Sequence, residues 1–206
     1  MRKILSLITL LFAFCTILAQ SKKELKRQGL SAFDQRDFVT AKDNYLKLLE
    51  KGVDTWETYT ILGDCEFHTG NSDQALTYYR KGQEKNPIYA GLYLRVANVL
   101  RQQKKYDEAI LNFRKMTITN PRNPQIYDMI SSTYYESGDY QAALNEIDTM
   151  VKLGGENLGS SYGRSVSYIK LNKISEACVE LEKADQFDTE NNNKEIDILR
   201  GIHCMK

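Results

Sequence analysis

Asp64, Cys65 and His68 fall together in the stretch ILGDCEFHTG, and on a helix the aspartate and the histidine, four apart, share one face. Carboxylate, thiolate and imidazole are all zinc-ligand types, but a catalytic zinc takes three protein ligands plus water. Asp64 and His68 make only two, and the one other histidine, His203, lies at the far end of the chain. Ser131 and Ser165 are hydroxyls with no histidine placed to activate them as nucleophiles. No glycine-rich phosphate loop of the P-loop or dinucleotide type occurs. These residues predict no enzyme, no metal and no cofactor, and a metal-dependent enzyme around His68 is the remote alternative.

The elements that would position these side chains emerge when the chain is laid out in blocks of 34 residues starting at Lys22, Trp56, Ala90, Pro124 and Leu158. Column twenty then holds Ala41, Ala75, Ala109, Ala143 and Ala177, and column eight holds Gly29, Gly63, Ala97, Ser131 and Ser165, all small. Column twenty-four is large and apolar: Tyr45, Tyr79, Phe113, Ile147 and Leu181. Each block reads as two amphipathic helices joined at Arg36, Gly70, Lys104, Gly138 or Asn172, with Asn71, Ser72 and Asp139 placed to cap the helices that follow. Pro87 and Pro121 stop the second helix of their blocks. A glycine inside a helix costs about 1 kcal/mol against alanine. Gly63 is therefore expected to lie across the hairpin from Ala75, with Tyr59, Leu62 and Tyr79 filling the space around the two small residues.

This spacing resembles the tetratricopeptide repeat, whose pattern is Trp-x2-Leu-Gly-x2-Tyr followed by alanine, an aromatic, alanine and proline. Tyr59, Leu62, Gly63, Ala75, Tyr79 and Pro87 stand in the matching places of the second block. Glu66, Gly82 and Arg164 depart from the pattern. The resemblance implies an all-α, right-handed superhelix (α-solenoid) of helical hairpins: repeats at 22–55, 56–89, 90–123, 124–157 and 158–191, closed by a capping helix over 192–206. It also implies that the first helix of each repeat lines a concave groove able to hold a segment of another protein. Columns two, five, nine and twelve map there, and the expected partner-binding residues are Lys26, Phe33, Thr60, Asp64, Phe67, Asn98, Arg101, Asp128, Tyr135, Tyr162 and Ile169. A clamp for C-terminal carboxylates, as in cochaperone repeats, is not expected. Lys26 and Arg95 fit it, but Leu30, Ile61 and Gly91 stand where polar donors are needed.

The chain opens MRKILSLITLLFAFCTILAQ, two basic residues and then an apolar run from Ile4 to Ala19, the grammar of a secretory signal peptide over 1–19. As a helix the run reaches about 24 Å, short of the roughly 30 Å hydrocarbon core, so cleavage is favoured over an uncleaved anchor. Without Arg2 and Lys3 the basic residues number 26 against 27 acidic, which excludes the strongly basic footprint of a nucleic-acid binder. Three cysteines remain after Cys15 leaves: Cys65, Cys178 and Cys204. Cys178 shares a column with Leu76, Ile110 and Leu144 and is expected to pack as a small core residue, although it could approach Cys204. The expected role is a non-catalytic scaffold or adaptor exported to the periplasm or cell envelope of a bacterium. Its partner would be a segment of another protein, reaching a membrane only if the N-terminal helix is retained. Four glycines and three serines before Arg164 make the junction between the fourth and fifth repeats the expected soft point.

Overall fold

The computed structural model describes residues 21–188 and 193–204, and the expected signal segment lies outside them. Helix α1 covers 21–34. It is followed by α2 (Phe38–Glu50), α3 (Trp56–His68), α4 (Ser72–Lys85), α5 (Ala90–Gln102) and α6 (Tyr106–Thr119). The remaining helices are α7 (Pro124–Ser137), α8 (Tyr140–Lys152), α9 (Leu158–Lys170), α10 (Ile174–Phe187) and α11 (Lys194–His203). Among the described residues there is no strand, and no helix is long and apolar enough to cross a membrane. The chain divides into two compact units, one ending at Leu92 and one beginning at Tyr93.

All five joints named from the sequence carry a left-handed residue: Arg36 (φ 60°), Gly70 (87°), Lys104 (59°), Gly138 (91°) and Asn172 (58°). Arginine and lysine accept this conformation at a cost of about 1 kcal/mol each, so the register of the helices on either side must dictate it. Asp139 caps α8 through a bond from the Ala142 N–H at 2.9 Å. Asn71 occupies the corresponding place before α4 but makes no cap bond. Its amide instead donates to Glu66 Oε2 at 2.8 Å. Glu66, the departure from the aromatic pattern, is buried and also faces Lys42 of α2 at 3.4 Å, so two partners offset the desolvation of its charge. Arg164, the other charged departure, bonds Asp148 of α8 at 2.5 Å and lies 3.8 Å from the buried Glu180 of α10.

In the unit ending at Leu92, α3 packs against both α2 and α4. The space beside Gly63 is claimed by Tyr79, one of the residues expected to fill it: a Cβ there would lie 2.4 Å from Tyr79 Cε1. Gly29 repeats the arrangement in α1, its absent Cβ falling 2.7 Å from Tyr45 Cε2. In these two repeats column eight is bare because a column twenty-four tyrosine ring lies where a Cβ would be. The Tyr79 hydroxyl then donates to Asp64 Oδ1 at 2.7 Å, so the ring also finds a polar partner.

In the unit beginning at Tyr93, α7 pairs with α8, α9 with α10, and α11 lies on α10. Ile196 of α11 is buried with Leu181 and Ala184, flanked by Leu158, Tyr162 and Leu199. Cys178 and Cys204 are joined in a disulfide with Cα atoms 5.7 Å apart, a correction to the expectation of simple packing. The repeat columns could not show it, because Cys204 lies outside them and its approach depends on how α11 docks.

Two outcomes follow from this packing. Gly63→Ala should cost about 2 to 3 kcal/mol in chemical denaturation, as overpacked sites do. Adding Tyr79→Ile to Gly63→Ser, which copies the Ser131 and Ile147 pair, should recover part of the loss, whereas strictly additive costs would refute the pairing. Cys204→Ser opens a loop spanning 26 positions and should lower stability by about 3 kcal/mol. Amide exchange should then rise first in α11.

Candidate functional site

The helices of the second unit leave a cleft of about 410 Å³ between α7 and α9, floored by Ala143 and Ile147 of α8. Helix α7 contributes Asp128, Ser131, Ser132, Tyr135 and Glu136, and α9 contributes Gly159, Tyr162, Gly163, Val166 and Ser167. The cleft exists because α9 carries no side chain at two positions four apart. A Cβ on Gly163 would already lie 3.1 Å from Ile147 Cδ1. The segment expected to be the soft junction includes helix α9, in which Gly163 has a steric reason. Its start is secured by Asn157, which accepts from the Ser160 N–H at 3.0 Å while Ser160 Oγ accepts from the Asn157 N–H at 2.9 Å.

Two tyrosines and two carboxylates set the chemistry of the cleft. The Tyr162 hydroxyl is hydrogen-bonded to Glu195 of α11, and burial first, then that carboxylate, raise its pKa above the ordinary range. Tyr135 lies edge-on to Tyr140 with centroids 5.3 Å apart. Asp128 is exposed on α7, and the desolvation by neighbouring groups that raises its carboxyl is opposed by Arg101. Glu136 lies 3.7 Å from Arg101. The Ser131 hydroxyl donates to its own helix at Asp128 O (2.8 Å), and the buried Ser165, outside the lining, does the same at Tyr162 O (2.7 Å).

Of the expected partner-binding residues, Asp128, Tyr135 and Tyr162 line this cleft and Arg101 approaches it through Glu136. Ile169, half-buried, is not in its lining, and Asn98 is exposed on α5. Glu136, Gly163 and Ser167 were missed, although each stands four residues after another lining residue on the same helix and so on the same face.

In the first unit, Lys26 is exposed and Phe33 and Phe67 are half-buried. Thr60 is buried, its hydroxyl donating to Trp56 O at 2.8 Å, so it offers nothing to a guest. Asp64, Cys65 and His68 do not converge. Asp64 accepts from Tyr79, and the His68 ring stacks on Phe38 of α2 at 4.5 Å and 9°. Phe33 and Phe67 meet His68 edge-on at 6.5 and 5.8 Å. Cys65 is fully buried, and burial pushes its thiol up to about 12. Among the described residues no three His, Cys, Asp or Glu side chains are grouped as metal ligands would be.

The family description "Tetratricopeptide repeat" matches residues 26–87 and 69–124, and "Anaphase-promoting complex, cyclosome, subunit 3" matches 102–184. A tetratricopeptide repeat protein from Parabacteroides merdae superposes with a TM-score of 0.77 at 15% identity, covering 88% of this chain and 74% of that one. The fold is that of the tetratricopeptide-repeat proteins. The crystal structure of MamA protein agrees, with a TM-score of 0.73 at 15% identity over 91% of this chain and 98% of that one. Both neighbours support the all-α, α-solenoid class. In sequence, the chain is 31% identical over 99 residues to the Photosystem I assembly protein Ycf3 of Prochlorococcus marinus. The match covers 43% of this chain and 57% of that protein, so the chain spans only part of the curated relative it matches.

Within this tetratricopeptide fold Cys65 is a packing residue. Alkylating reagent at neutral pH should leave it unlabelled in the folded protein and modify it after denaturation, because a buried thiol pushed up to about 12 carries almost no thiolate. Labelling of the folded chain at the rate of a free thiol would contradict that assignment.

Proposed function

We propose that this chain is a non-catalytic scaffold or adaptor that binds a segment of another protein along the first helices of its hairpins, exported to the cell envelope. The observation that carries the reading is the cleft between α7 and α9, where an aromatic and aliphatic lining with a few polar groups has the character of a peptide-binding groove. The proposed organisation is a leader over 1–19, five repeats over 22–191 and a cap over 192–206. Further proposed contacts are Lys26, Phe33, Phe67, Asn98, Arg101 and Ile169.

Export is supported by the apolar opening of the chain and by the disulfide between Cys178 and Cys204, since such bonds persist in oxidising compartments. The relative named as a Photosystem I assembly protein is compatible with work on other polypeptides, and the partner proposed here is an envelope protein.

A photoreactive amino acid at Ser132 or Val166 in the full chain tests the reading. Both positions should crosslink the same segment of one protein from the envelope fraction, and a photoreactive residue at the exposed Lys115 should not. Equal yields from all three would place binding elsewhere. The mass of the recovered chain separates a cleaved leader from an adaptor retained at the membrane by its N-terminal helix.

A further inference from the structure

The cleft between α7 and α9 has twelve lining residues, and its only charged members are Asp128 and Glu136, both acids. No basic side chain contributes to the wall. Arg101 approaches Glu136 from outside the lining at 3.7 Å. Arg101 also acts on Asp128 electrostatically, so one cation faces two carboxylates and the pair keeps a net negative charge. Glu136 is the closer partner of Arg101, which leaves Asp128 as the carboxylate more open to a visitor.

The rest of the lining suits a visitor with a long apolar stem and a charged tip. Ala143, Ile147 and Val166 present alkyl surface for methylenes, and the absent side chain of Gly159 leaves room for them. Tyr135 and Tyr162 bring aromatic rings to the lining, and such rings attract a cation within about 6 Å of their centroids. Long basic side chains cover apolar surface with their stems while keeping the charged head at a polar group. A cleft of about 410 Å³ accommodates one such side chain with the backbone that bears it.

We propose that the α7–α9 cleft is a specificity pocket for a lysine or arginine side chain of the bound segment, with Asp128 as its counter-charge and Tyr135 and Tyr162 flanking the cation. This rests on the docking reading above and narrows the partner to a segment with a basic residue among small or aliphatic neighbours. An acidic segment is disfavoured, because it would bring like charge against Asp128 and Glu136.

Two peptides test it on the full mature chain: acetyl-Gly-Leu-Lys-Leu-Gly-amide, and the same peptide with norleucine for lysine, titrated while the backbone amides are followed by NMR. The lysine peptide should shift the amides of Asp128, Ser132, Gly159 and Gly163 and bind about tenfold more tightly than the norleucine peptide, the combined effect of an exposed ion pair and a cation–aromatic contact. Asp128→Asn, a change on a solvent-touching side chain, should reduce the preference to about twofold while leaving the same amides responsive. Equal affinity for the two peptides, or a tenfold preference surviving in Asp128→Asn, overturns the inference. If both peptides move the cleft amides equally, the docking reading survives and the basic specificity falls. If neither moves them, the specificity falls as well, and the crosslinks from Ser132 and Val166 decide the docking reading separately.

Discussion

The structure depends on one steric constraint: a large side chain of each second helix needs a place on the first helix where almost nothing projects. At Gly29 and Gly63 that place is a bare backbone, with Tyr45 and Tyr79 lying where a Cβ would be. The three other column pairs keep the exchange at smaller scale. Ala97 accompanies Phe113, Ser131 accompanies Ile147 and Ser165 accompanies Leu181, every one of them buried. As the partner loses its ring or its hydroxyl, the small residue regains a side chain. The helix propensity surrendered at glycine, about 1 kcal/mol, is less than the burial of a tyrosine contributes, so sequence and packing are consistent.

Burying that ring also decides what the neighbouring polar residues can do. Tyr79 carries a hydroxyl into the interior, and Asp64 receives its hydrogen bond. The aspartate that looks like half of a metal site is thereby engaged in packing, while the histidine beside it is held among phenylalanines. Similarly, Glu66 and Arg164 break the apolar pattern because each has partners reaching from a neighbouring helix: Lys42 for Glu66, and Asp148 and Glu180 for Arg164. Removing one member of such a group would strand a buried charge, so these positions resist substitution more than their polarity suggests.

Much of this was legible because a 34-residue period repeats the same physical problem five times. The column of alanines from Ala41 to Ala177 is buried throughout, and the joints from Arg36 to Asn172 all adopt the left-handed conformation. What escaped was whatever depends on departures from the period. Asn71 leaves its cap for Glu66, an exchange visible only once the burial of Glu66 is known. Glu136 and Gly163 escaped because reading only columns two, five, nine and twelve traced a line along each helix, whereas a cleft wall takes in neighbours one turn away. The disulfide escaped because it joins a repeat to a segment outside the repeats.

That last bond bears on the cleft itself. Tyr162 belongs to two environments at once: one side lines the cleft, while its ring packs with Leu158, Leu181 and Ile196 and its hydroxyl is held by Glu195. Helix α11 has ten residues, too few to be stable alone in water, and its single fully buried side chain is Ile196. An ion pair between Arg200 and Asp185 at 2.8 Å, partly exposed, adds little. The covalent tie to Cys178 is therefore the principal restraint on the helix that orients Tyr162, and through that side chain the geometry of the cleft wall depends on a bond between α10 and the residue that ends α11.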